Sequence, residues 1–256
     1  MQDFIPKPLR PFLRKDLNPN YISEERGILK YLNPDFLQGN NDKYMKFYNR
    51  LAPFYDFGER WIGWLKYGNS VAEMRRKMMQ LLEWKDNASV LYVSIGTGKD
   101  FKYMPQNINI KTLSLVGIDI SEAMLRRAQK VWKDKLNLSL VNCPAEDLPF
   151  DDNSFDIVFH VGGINFFSDK QRAIDEMLRV AKPNTLLMIA DETQDFIRDQ
   201  YQKNVFSKEA YKDAHFDLTE IQNTIPASVT DRQTHFLWDN RFYAIIFKKS
   251  LNLPFS

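Results

Sequence analysis

The apolar positions change rhythm along the chain. From Ser89 onward, short runs rich in β-branched residues recur at intervals: SVLYVSI, LSLVGIDI (Leu113–Ile120), NLSLVNC (Asn137–Cys143), SFDIVFHVG (Ser154–Gly162) and TLLMIAD (Thr185–Asp191). Runs of this length and makeup predict strands buried on both faces. Between them, apolar residues recur every three or four positions, most clearly at Ser121–Lys133 and Asp169–Ala181. Ser121 and Asp169 each stand where a helix N-cap belongs. The end departs from this pattern. VTDRQTHFLW, Asp239-Asn240-Arg241 and FYAIIFKK read as two strands joined by a tight turn. The expectation is an α/β fold: a seven-stranded, mostly parallel sheet closed by a C-terminal antiparallel hairpin, with helices on both faces.

Upstream the pattern is less regular. Residues 1–40 are rich in Pro, Asn and aromatics and show little periodicity, so they read as an arm lying on the body. Tyr44, Phe47, Tyr48 and Leu51 then recur at helical spacing until Pro53. A second helix is predicted over about Ser70–Trp84, with Ser70 and Glu73 spaced as a capping box. The expected division is an arm over 1–40 and a domain over 41–256. Within that domain, 41–85 form leading helices and 192–228 a substrate-side insertion.

Composition narrows the function classes. Hydrophobic residues make up 44% of the 256, enough for a sizeable core. Lys and Arg number 35 against 33 Asp and Glu, a net charge of +2 that leaves no electrostatic footprint for nucleic acid. The single cysteine, Cys143, excludes a disulfide within the chain and a Cys-based zinc site, and no metal site is expected. No apolar run approaches the ~20 residues of a membrane span, and residues 1–15 lack the apolar core of a signal peptide. The expectation is a cytoplasmic protein without stable membrane insertion.

Candidate chemistry gathers where the first strand ends. Gly96 and Gly98 follow it directly, at the edge where doubly wound sheets bind ligands. Glycine lets main chain approach a ligand closely. Asp119 ends the second strand about twenty residues later, where an acidic side chain accepts hydrogen bonds from ribose hydroxyls. A plain tight turn with a helix cap is the bland alternative. A nicotinamide dehydrogenase is a further one, disfavoured by the missing third glycine of G-x-G-x-x-G and by the closing hairpin.

Five segments together resemble the type 11 S-adenosylmethionine-dependent methyltransferases, near those of ubiquinone and menaquinone biosynthesis. They are YNRLAPFYD (Tyr48–Asp56), VLYVSIGTGKD (Val90–Asp100), LVGIDISEAMLRRA (Leu115–Ala128), AEDLPFDDNSFDIVF (Ala145–Phe159) and EMLRVAKPNTLLMIAD (Glu176–Asp191). The resemblance implies a Rossmann-like class I fold with S-adenosylmethionine as cofactor and a small, apolar or aromatic molecule as acceptor. It implies cofactor contacts from Tyr55, Ser94, Ile95, Gly96, Thr97, Gly98, Asp119, Ile120, Met124, Ala145, Glu146 and His160. Tyr44, Tyr48, Asn165, Phe166 and His215 are the expected acceptor-side residues. His160, ending the fourth strand, is the candidate catalytic group; a histidine satisfied by packing is its bland reading.

The chain departs from the family at four positions. Tyr92 stands where an acidic residue usually organises the glycine loop, with Asp100 or Glu146 as candidate substitutes. Ser94 replaces the loop's first glycine. Pro144 stands where an Asp contacts the adenine amino group. Asn184 replaces a turn glycine. These departures motivate an alternative: a methyltransferase fold that has lost catalysis and serves as a binding protein or partner subunit.

Overall fold

The computed structural model describes residues 4–52, 68–199 and 217–251. Its strands run β1 Ile22–Glu25, β2 Ile28–Tyr31, β3 Ser89–Val93, β4 Ser114–Asp119, β5 Leu138–Asn142, β6 Ile157–Val161, β7 Leu186–Glu192, β8 Thr230–Leu237 and β9 Phe242–Lys248. They form one sheet in the order β1-β2-β5-β4-β3-β6-β7-β9-β8. The five central strands are parallel, and β9 returns antiparallel to β7 with β8 outside it. The hairpin turn places Trp238, Asp239 and Asn240 at positive φ, and Arg241 N–H closes it onto the Trp238 carbonyl at 3.1 Å.

The sheet therefore has nine strands rather than seven. The extra pair comes from the segment read as an arm: β2 runs parallel to β5, matching Ile28 with Leu140, and β1 folds back along β2. Leu9, Leu13, Leu17, Ile22 and Leu29 enter the same core as Phe150 and Phe155. Phe12 stacks on Phe155 at 5.0 Å, and Arg14 pairs with Asp147 at 3.0 Å. The strands were hidden because ISEE and ILKY are only four residues each and are interrupted by charged residues.

Helix α1 occupies 40–52, α2 Ser70–Gln80, α3 Glu122–Trp132, α4 Lys170–Val180, α5 Gln194–Ile197 and α6 Leu218–Thr224. Alternation along the strands divides the core into two layers. Val90, Tyr92, Leu115 and Phe159 face α2 and α3 through Met74, Met78, Leu125 and Trp132. Leu91, Val93, Val158 and Ile189 face α4 and α6 through Ile174, Met177 and Ile221. Ser121 and Asp169 cap α3 and α4, accepting from Met124 N–H at 3.3 Å and Arg172 N–H at 2.9 Å. The capping box at Ser70 does not form. Asn69 is the N-cap of α2 without a side-chain bond, and Ser70 Oγ accepts from Trp238 Nε1 at 3.0 Å. Between β3 and β4 only short 3-10 turns occur, Lys99–Tyr103 and Ile110–Thr112, where an α-helix is expected. Pro105 and the Asn-rich stretch after it cannot sustain one.

Candidate active site

The site is built on the carboxyl ends of β3 and β4. Asp119, only 9% exposed, receives two backbone N–H groups: Gly96 onto Oδ2 and Ser121 onto Oδ1, both at 2.8 Å. Burial pushes its carboxyl up to about 6, against the pull of those two bonds. Asn142 holds the same strand end, its Nδ2 donating to the carbonyls of Asp119 and Ile120 at 2.9 Å. Glycine loop and acidic strand end thus form one unit.

The two loop glycines do different work. Gly96 has φ +54, and a Cβ built on it meets no atom within 4 Å among the described residues. Among the described residues this face is uncovered. Gly98 has φ +72, but its missing Cβ would lie 2.7 Å from Trp132 Nε1, which donates to the Thr97 carbonyl at 3.0 Å. Gly98 therefore makes room for an indole. Ser94 also sits at positive φ, 57°, which accounts for the usual glycine there. Ile95 turns into the core, against the space left by Gly117. Met124 and Thr97 are buried as well.

Asp100, one of the two candidate substitutes for the acid missing at Tyr92, lies against that tyrosine. Tyr92 donates its hydroxyl to Asp100 Oδ2 at 2.5 Å, while Arg75 of α2 pairs with Asp100 Oδ1 at 2.5 Å. A buried carboxylate thus lies beneath the loop, reached through a tyrosine that stacks on Phe159 at 4.3 Å. The other proposed substitute, Glu146, is engaged elsewhere. Its Oε1 accepts the Ser168 and Asp169 N–H groups at 2.9 and 3.2 Å, at the start of α4. Ala145 and Pro144 are buried beside it.

Helix α1 crosses this edge. Asn49 Oδ1 accepts from Ser121 Oγ at 2.7 Å and from Ala123 N–H at 3.2 Å, docking α1 on the start of α3. Tyr44 lies 4.1 Å and Tyr48 6.4 Å from Phe166, ring to ring. The structure therefore brings three expected acceptor-side residues together, with Ile197 of α5 in the same cluster. Tyr55 and His215 lie outside the described residues.

His160 is fully buried in β6, its ring edge-on to Phe167 at 5.3 Å. Burial pushes its pKa down to about 3, so the imidazole is neutral at physiological pH. Neither ring nitrogen meets a hydrogen-bond partner among the described residues, so the ring is enclosed without being satisfied by the groups around it.

Sequence reasoning missed Asp191. At the end of β7 its Oδ2 accepts the N–H groups of Gly163 and Ile164 at 3.0 and 3.2 Å. Gly162 and Gly163 have φ of +78 and +95. Asp191 thus supports the turn after β6 as Asp119 supports the turn after β3. Its place at a strand end, after a Gly-Gly turn one strand over, was the available signal.

Comparisons agree with this layout. Residues 91–189 match the family model described as a methyltransferase domain. The chain is 32% identical over 120 residues to a demethylmenaquinone methyltransferase of Staphylococcus carnosus, covering 47% of this chain and 49% of that one. It is 30% identical over 151 residues to a ubiquinone/menaquinone biosynthesis C-methyltransferase of Geobacter sulfurreducens, covering 56% of each. The chain thus spans about half the length of these curated relatives. An S-adenosylmethionine-dependent methyltransferase from Thermotoga maritima superposes with a TM-score of 0.55 at 23% identity, over 77% of this chain and 98% of that one. One from Aquifex aeolicus gives 0.54 at 21%, over 68% and 89%. Residues 91–189 accordingly match a methyltransferase domain, and the chain shares the Rossmann-like, class I fold of these solved structures.

Proposed function

We propose that the whole chain is an enzyme that transfers a methyl group from S-adenosylmethionine to a small apolar or aromatic acceptor, of which a quinone ring is the best-supported class. The observation that carries this is the open face of Gly96 beside a carboxylate already bonded to its amide. That face suits a nucleoside approaching main chain, with Asp119 placed for ribose hydroxyls and Ala145 for the adjoining wall. When bound, the cofactor supplies a sulfonium methyl group for in-line displacement. The protein's own part is to orient, exclude water and, for a carbon or oxygen acceptor, take up a proton. Asp100, with Arg75 and Tyr92 behind it, keeps the loop's shape. Tyr44, Tyr48 and Phe166 provide an aromatic wall for a planar acceptor. The names of the relatives, two enzymes of quinone biosynthesis, support that class.

The loss-of-catalysis reading is weaker, because a buried carboxylate, Asp100, lies against Tyr92 and the curated relatives are named as methyltransferases. Calorimetry with S-adenosylhomocysteine tests the proposal. Micromolar binding, about −8 kcal/mol, is expected. Absence of saturable binding would refute it.

A further inference from the structure

Helix α1 is held at two points by contacts of different character. Near its start, Asn41 is only 4% exposed. Its N–H donates to Ser168 Oγ at 3.0 Å, and Ser168 N–H donates back to Asn41 Oδ1 at 3.2 Å. Asn41 Nδ2 also donates to the Phe36 carbonyl at 2.9 Å. About two turns on, Asn49 is exposed, and its amide oxygen accepts from Ser121 Oγ and Ala123 N–H. Ala123 N–H belongs to the first turn of α3, whose amides have no partner within the helix. Solvent-exposed bonds open far more readily than buried ones. Asn41 therefore marks the fixed end of α1, and Asn49 the end that can be released. What lies between them is the candidate site. In the sheet, β4 and β6 flank β3 on either side. Asn49 touches the turn after β4, while Tyr44 and Tyr48 meet Phe166 in the turn after β6. The helix thus bridges the end of β3, where the Gly96 loop lies.

Ser121 joins this helix to the carboxylate of the site. Its N–H donates to Asp119 Oδ1, while Asp119 Oδ2 takes the Gly96 N–H. A carboxylate has room for about four hydrogen bonds, so ribose hydroxyls can join these two without displacing them. Each added bond restrains the strand end and, through it, the two donors that hold Asn49. We propose that Asn49 is a positioning residue through which an occupied cofactor site fixes α1 in its docked place, and with it the wall of Tyr44, Tyr48 and Phe166. The acceptor side is then completed after the cofactor has bound. Such coupling is reciprocal: whatever fixes α1 tightens the cofactor by the same factor. This role of Asn49 rests on the cofactor reading proposed above and adds an order of binding to it.

The test is amide hydrogen exchange of the full chain, read on peptides from residues 40–52, with S-adenosylhomocysteine as the probe. Saturating ligand should slow exchange there at least about tenfold. Asn49→Ala should still bind the ligand, severalfold more weakly by calorimetry, yet show less than about twofold slowing in α1. Asn49→Asp keeps an oxygen in front of the same two donors, at a helix start that favours negative charge, and should restore most of the protection. Both are surface changes, so melting temperatures should stay within a few degrees of the wild type. Four results overturn the coupling: α1 indifferent to ligand in the wild type, full protection kept in Asn49→Ala, binding lost outright in Asn49→Ala, or no rescue by Asn49→Asp. Each leaves the cofactor reading standing, because the wild type still binds. A wild type that ignores S-adenosylhomocysteine overturns the cofactor reading, and the coupling with it.

Discussion

Replacing each loop glycine by alanine separates binding from packing. Both positions have left-handed φ, which costs a residue with a Cβ about 1–2 kcal/mol. At Gly96 the added methyl enters space free of described atoms, so little more is lost. At Gly98 it would lie 2.7 Å from the Trp132 indole nitrogen and 3.1 Å from Cδ1. That indole is buried in the core with Phe101, which it meets edge-on at 5.9 Å. Displacing it also strains its bond to the Thr97 carbonyl, a further ~1–3 kcal/mol if the donor is left unpaired. Gly98→Ala should therefore lower the melting temperature by roughly 5–15 °C and Gly96→Ala by about 2–8 °C. Calorimetry should show the reverse order of damage for S-adenosylhomocysteine. Gly96→Ala should abolish binding at micromolar ligand, while folded Gly98→Ala retains part of it. A Gly96→Ala protein that binds like the wild type would refute the assignment of this face to the cofactor. Equal stability of the two variants would refute the division of labour between the glycines.

Further outcomes follow from the same contacts. Asp100→Ala strips Arg75 and Tyr92 of a buried partner and should cost about 3–5 kcal/mol in urea unfolding; a change below 1 kcal/mol would mean that the cluster beneath the loop is not structural. Leu29→Ala, in the second strand of the arm, should cost ~2–5 kcal/mol, measurable by the same melts; a neutral result would show the arm to be dispensable. Asp119 and Asp191 are both raised to about 6 by burial. The folded chain thus takes up their protons at a higher pH than the unfolded chain does. Their contribution to stability should grow as pH falls from about 7 towards 4 and be lost as pH rises through about 6. Affinity for S-adenosylhomocysteine should move oppositely, falling below about pH 6 as Asp119 loses its charge; calorimetry across that range, flat in Asp119→Asn, is the check.

The central strands and the caps of α3 and α4 were legible because their signals are local: apolar runs, and a Ser or Asp one residue before a periodic stretch. The Gly96 loop and Asp119 were legible for the same reason, since each sits at the end of such a run. What escaped depends on partners distant in sequence. Nothing near Ile28 announces that it will lie beside Leu140. Asn49 looks like one more polar residue on a helix until Ser121 arrives beneath it. Gly98 invites a ligand reading, and only Trp132, at the far end of α3, reveals a packing role. Between β3 and β4 the breaker is local as well: Pro105 interrupts the stretch after the loop, leaving short 3-10 turns.

The parallel pairing of β2 with β5 has a consequence for how the chain matures. The early strand cannot find its neighbour until synthesis has passed Leu138–Asn142, so residues 1–40 must wait outside any finished core. Such non-local closure slows folding and leaves apolar side chains such as Leu9 and Leu29 uncovered meanwhile. A ribosome-bound intermediate ending before Leu138 should accordingly be the most protease-sensitive stage of this protein's life.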